Sequence, residues 1–265
     1  MNVIKNHPLT SYFILAYIFT WILALPLILT GLGLTAVDMN WHFLGALGPT
    51  ISAIIVVYLA KGRLGLKELK ERCLKWKVGF FWILFSAFIM PLFLVLTILL
   101  NFLFTGTIID LNSYMINNGL VDIGSVLLWI WVGAISFGTF EEIGWRGFAL
   151  PKLQEKYNPV IATLILFLGW SVWHAPFFFY RFSITMIFGW LFGLFMGAIL
   201  MTFIYNSSGG SALMAIIFHI SNNIIWLFNI AEIQMYISVM MTILVVFILI
   251  IWRKTLSTKK IENLK

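Results

Sequence analysis

Nearly uncharged apolar runs, each long enough to cross a lipid bilayer, recur along the whole of this 265-residue chain. A bilayer core takes about 20 residues of helix. Eight stretches qualify, at about 11–33, 42–60, 80–104, 125–150, 158–177, 184–205, 212–229 and 235–252. In lipid every backbone N–H and C=O must find its partner inside the protein, which leaves only helices and closed barrels. These runs are continuously apolar and lack the alternation of barrel strands. The sequence therefore predicts an all-α, polytopic membrane helical bundle of about eight transmembrane helices, one transmembrane domain over 1–265. Only 10% of residues are charged, against about 25% in a soluble domain, so a soluble enzyme is excluded. The first run is longer than a signal-peptide core and no small-residue cleavage site closes it, which predicts a retained helix.

The basic residues sort by side. With eight spans, Lys5, the 61–77 segment, the 146–157 stretch and the tail from Arg253 share one face, and sixteen of the seventeen Lys and Arg fall there. Arg181 is the exception, among loops that carry Asp38, Asp110, Asp122 and Glu232. This asymmetry predicts a multi-pass protein of the cell membrane with both termini cytoplasmic. The net charge of +7 then reflects topology and contact with anionic lipid. No stacking platform or binding motif accompanies it, so no nucleic-acid partner is expected. The single cysteine, Cys73, rules out an internal disulfide and reads as an ordinary residue of a basic loop.

Charged groups inside lipid are rare without a purpose, because each costs at least about 2.5–3.5 kcal/mol near the bilayer centre. Glu141 and Glu142 form an acid pair within the fourth run, followed by Arg146. Glu142 and Arg146 stand four apart on one helix face, where an internal ion pair lowers the burial cost of both. Glu141 is turned about 100° away and is left without that partner, as suits a general base. The alternative is a structural salt-bridge cluster. In the fifth run His174 precedes Pro176, which frees a carbonyl one turn back and favours a kink. In the seventh, His219 and Asn223 share a face and can donate into a common pocket, or serve as interhelical polar glue. Gly189, Gly193 and Gly197 make a small-residue ladder suited to close packing against another helix of the chain.

Glu-Glu-x-x-Trp-Arg-Gly-Phe-x-Leu-Pro at 141–151, Trp-His-x-Pro ending at Pro176 and His-x-x-x-Asn at 219–223 together resemble the CPBP family. These are relatives of the type II CaaX prenyl endopeptidase, also called the Abi or CAAX protease family. The resemblance covers about half the chain, and it implies a catalytic core over 125–229. Where the family often has Phe four residues before the first His, this chain has Trp170.

The resemblance implies an intramembrane peptidase acting on a membrane-associated peptide or protein. Glu141 and His174 would activate a water, His219 and Asn223 would form an oxyanion hole, and Glu142 and Arg146 would organise the site. No Ser nucleophile-elbow pattern competes with direct attack by water. One zinc ion is the open cofactor question, since Glu141, His174 and His219 supply three ligand types and leave a fourth position. No His-Glu-x-x-His motif occurs, which favours a glutamate-dependent reaction. A non-catalytic scaffold or bacteriocin self-immunity protein, and a proton-coupled transporter, remain as alternative readings; no inverted repeat favours the last. Counted along their helices, Glu141 and His174 differ in depth by about 9 Å, so the fifth helix is expected to start outside the bilayer.

Overall fold

The computed structural model describes residues 2–228 and 230–257, and among them there is helix and no strand. Helix α1 spans Pro8–Gly31. A 3-10 segment over Met39–Ala46, with the Asp38 side chain accepting from Asn40 N–H, leads into α2, Leu47–Cys73. Helix α3, Phe80–Thr105, ends at Gly106 in the left-handed region. Helix α4 runs continuously over Ile123–Gln154, opened by an Asp122–Ser125 capping box. Two π turns, Trp131–Ile135 and Trp145–Ala149, widen it. Helix α5, Pro159–Trp173, is capped by Asn158. Helices α6, Ile187–Ser207, α7, Ala212–Leu227, and α8, Ala231–Ser257, complete the bundle. The tail from 258, with Lys259, Lys260 and Lys265 of the basic face, lies outside the described residues.

Seven of these helices are long and apolar enough to cross a membrane, while α7 has only 16 residues. Helix α7 is the inner element, packed on α3, α4 and α6, with α2 against α4 and α1 against α2. The exterior, unlike that of a soluble protein, is apolar, and the apolar core also encloses charged groups. Phe88, Val95 and Phe188 face outward, while Glu142 and Arg146 are fully enclosed. Lipid solvates the apolar exterior, so the interior is where polar groups can be satisfied.

Three local expectations are corrected. The 61–77 segment is not a loop: α2 continues through it to Cys73, with its axis broken at Gly62, whose φ of 65° favours glycine. Cys73 is accordingly buried, its Sγ close against Gly147. Two of the three ladder glycines of α6 are left open: among the described residues nothing lies within 4 Å of where a Cβ would stand at Gly189 or Gly193, and Gly197 meets Met201 of its own helix at 3.7 Å. Around Pro176 the chain does more than kink: α5 ends at Trp173, and a 3-10 turn over Ala175–Phe179 follows.

Candidate active site

Three helices bring the polar residues together, and one glycine sets how closely. A Cβ at Gly138 would stand 2.8 Å from the Ile220 backbone N and 3.0 Å from its Cα, so α4 and α7 touch backbone to side here. Glu142 lies one turn beyond Gly138, and His219 directly precedes Ile220. The close approach delivers the His219 ring to the acid, with Nδ1 2.8 Å from Glu142 Oε1. Arg146 Nη1 donates to the same oxygen at 2.8 Å, and both side chains of that ion pair are wholly buried. Among the described residues, Glu142 Oε2 and the Arg146 Nε and Nη2 are buried without a hydrogen-bond partner. A carboxylate shared by two donors is a charge-assisted junction of about twice the strength of a neutral bond.

Glu141 faces α5. Its Oε2 accepts from the Trp170 indole N–H at 2.5 Å. Trp170 also meets Arg146, His174 and His219. The Arg146 guanidinium carbon lies 4.8 Å from its ring centroid, a cation–π distance. The His174 and His219 rings each lie 5.6 Å from it, and its carbonyl accepts from His174 Nδ1 at 2.8 Å. Reading the sequence missed this role, although the residue stood out as a departure: Phe at that position has no N–H to offer Glu141.

At the depth of Glu141, α5 presents Trp170. Eleven residues separate Pro159 from Trp170 and ten separate Glu141 from Pro151, so Trp170 is the α5 residue level with Glu141 at about 1.5 Å per residue. His174 sits one turn further, at the C-cap of α5. It is enclosed by the rings of Trp173 at 4.6 Å and Trp190 at 4.8 Å.

The hydrogen bonds also define the imidazole tautomers. A carbonyl can only accept, so His174 carries its proton on Nδ1 and presents Nε2 as an acceptor. His219 gives its Nδ1 proton to a carboxylate. Its Nε2 is then a lone pair when the ring is neutral and a donor only in the imidazolium. Asn223 stands one turn after His219 and is half-buried, while neighbouring Asn222 takes the Trp226 indole N–H at 3.0 Å.

A zinc ion needs three protein ligands at about 2.0–2.2 Å. Among the described residues no three His, Cys, Asp or Glu side chains converge to hold a metal ion. With both Nδ1 atoms engaged as above, the Nε2 atoms of His174 and His219 are the ones a metal could use, and the described side chains do not bring them together with Glu141 at ligand distances.

A further histidine, unnoticed in the sequence, underlies the cluster. His42 is buried, stacked on Phe137 at 4.5 Å and edge-on to Phe177 at 4.8 Å. Its Nδ1 lies 2.8 Å from the Tyr180 hydroxyl. Tyr180 lies beyond the spanning segment, and burial holds its phenol well above the usual range, so it stays neutral. Phe137 is one turn before Glu141 and Phe177 three residues after His174, so His42 packs behind both.

A multi-pass helical membrane protein whose buried acids, arginine and histidines from separate helices gather around one indole is the class that fold and site define. Residues 123–225 match the family described as type II CAAX prenyl endopeptidase Rce1-like. CAAX prenyl protease 2 of Methanococcus maripaludis is 30% identical over 194 residues, covering 68% of this chain and 69% of that protein. The chain belongs to this type II CAAX endopeptidase family.

Proposed function

We propose that this chain is an intramembrane endopeptidase that hydrolyses a membrane-associated peptide or protein with a water activated by Glu141 and His174. The observation that carries the reading is the division of labour between adjacent carboxylates. Glu142 is held by two cationic or cation-forming partners, Arg146 and His219, whereas among the described residues Glu141 accepts from the neutral Trp170 indole alone and its carboxylate is left to act on a water. The water donates one hydrogen to Glu141 and the other to His174 Nε2, and its oxygen attacks the scissile carbonyl. Glu141 takes the proton and passes it to the leaving amine as the C–N bond breaks. His219, as an imidazolium balanced by Glu142, and the Asn223 amide donate to the developing oxyanion.

This assignment conserves charge. With His219 taken as protonated, Glu141 and Glu142 balance Arg146 and His219, and the site is neutral before water attacks. At the tetrahedral stage Glu141 is protonated and the oxyanion carries its charge, so the sum is unchanged. A low-dielectric site favours a reaction that moves charge without creating it.

The relative's name points to prenylated CaaX peptides as the first substrates to assay. In the decisive comparison, membranes from cells carrying the wild-type chain or Glu141→Gln are searched for new peptide termini, alongside cleavage of a farnesylated CaaX peptide. Termini found only with the wild type are expected. Equal termini and equal cleavage in both would sink the peptidase reading and favour a scaffold.

A further inference from the structure

The basic segment beyond Gly62 has a shape and attachments that topology alone does not explain. Residues 61–77 hold seven Lys or Arg against Glu68 and Glu71, a net of +5. Two of the cations are offset: Lys61 pairs with Glu68 at 2.8 Å and Lys67 with Glu71 at 3.9 Å. Arg63 and Lys70 have no acidic partner among the described residues. Past the break at Gly62 the helix buries Gly65, Leu69 and Cys73 and turns Lys67, Lys70 and Leu74 outward. An open cavity of about 550 Å³ results, its cations Lys67, Lys70, Lys75 and Lys77, its apolar wall Leu74 and Trp76, with Glu71 at its edge. Trp76 is 64% exposed and Phe80, where the apolar α3 begins, 72%. An exposed Trp among lysines at the foot of a spanning helix is the composition of a membrane–water boundary.

The same elbow is tied to two of the three helices that carry the site. The Arg72 guanidinium donates to the Gly147 carbonyl, within the π turn that holds Arg146. Lys75 Nζ donates to Gly209 O at 2.7 Å, and Ser211 Oγ donates to Lys75 O at 2.6 Å. Ser211 in turn caps α7, the helix of His219.

We propose that this elbow is a binding site for the phosphate headgroup of an anionic phospholipid, and that the bound lipid clamps the ends of α4 and α7. The lysines neutralise the phosphodiester while Leu74 and Trp76 lie along the glycerol and upper acyl chain. A free nucleic acid has no use for that apolar wall, whereas a lipid has.

The protein, purified in an uncharged detergent, is titrated with dioctanoyl-phosphatidylglycerol, dioctanoyl-phosphatidylcholine or inorganic phosphate. Native mass spectrometry follows binding and a melting curve follows stability. Phosphatidylglycerol is expected to bind at least about tenfold tighter than phosphatidylcholine and to raise the melting temperature, while inorganic phosphate does neither. Combining Lys67→Gln, Lys70→Gln and Lys77→Gln, all exposed, should weaken it by about tenfold or more, since each surface lysine contributes about fivefold. Trp76→Ala should weaken both lipids, and Lys156→Gln, exposed but outside the elbow, should change nothing. Equal binding of the two lipids, an unaffected triple variant, or competition by inorganic phosphate would overturn the site. Binding without a melting shift would overturn the clamp. Neither readout requires peptide cleavage, so the proposal can fail independently of the peptidase reading.

Discussion

Gly138→Ala tests the geometry of the site through a single methyl group. The new Cβ would lie 2.8 Å from Ile220 N and 3.0 Å from its Cα. Carbon contacts settle near 3.5–4.0 Å, so α7 must retreat by about 0.8 Å. Backbone cannot swing aside as a side chain can. The His219–Glu142 contact, 2.8 Å in the native protein, would stretch to about 3.6 Å and cease to be a hydrogen bond. Misplacement on that scale costs about 100-fold in rate. Stability should change less, because overpacking of about 1–3 kcal/mol is partly offset by about 1 kcal/mol of helix propensity gained over glycine. Gly193→Ala is the control: among the described residues nothing lies within 4 Å of its Cβ position, so it should keep full activity and melt no lower. Both are measured by cleavage of the farnesylated peptide and by thermal unfolding. A Gly138→Ala protein that cleaves at the wild-type rate would show that the α4–α7 spacing does not set the site.

Arg146→Ala should lower thermal stability and abundance as well as activity, because it strands a buried Glu142 at a cost of about 3–5 kcal/mol; a normal melting curve would refute that. Asn223→Asp sets a carboxylate against the developing oxyanion and should cut activity about 100-fold. If activity survives, falls with a chelator and returns with zinc, Asn223 is a metal ligand instead. For orientation, single cysteines replace Lys70 or Asp110 in a Cys73→Ser background, and intact cells are labelled from outside. Position 110 should react and position 70 should not, and the reverse pattern would turn the protein over in the membrane.

What the sequence determined by itself are the features that lipid or a single helix imposes. Spanning runs had to be helices, because no water is present to satisfy a free backbone. The Glu142–Arg146 pair was legible because positions four apart meet on any α-helix. The motifs around Glu141, His174 and His219 were legible as a family resemblance. Contacts between helices were not, since rotation and spacing across the bundle carry no local period. Only the tertiary structure decided that His219 joins Glu142 across 77 residues, and that the Trp170 indole reaches Glu141 across 29. It also decided that Cys73 is buried rather than in a loop, and that Gly189 and Gly193 are left open while Gly138 takes the close contact. A spacing rule says which residues share a face; which face meets which is settled only when every helix has found the packing that buries its polar groups.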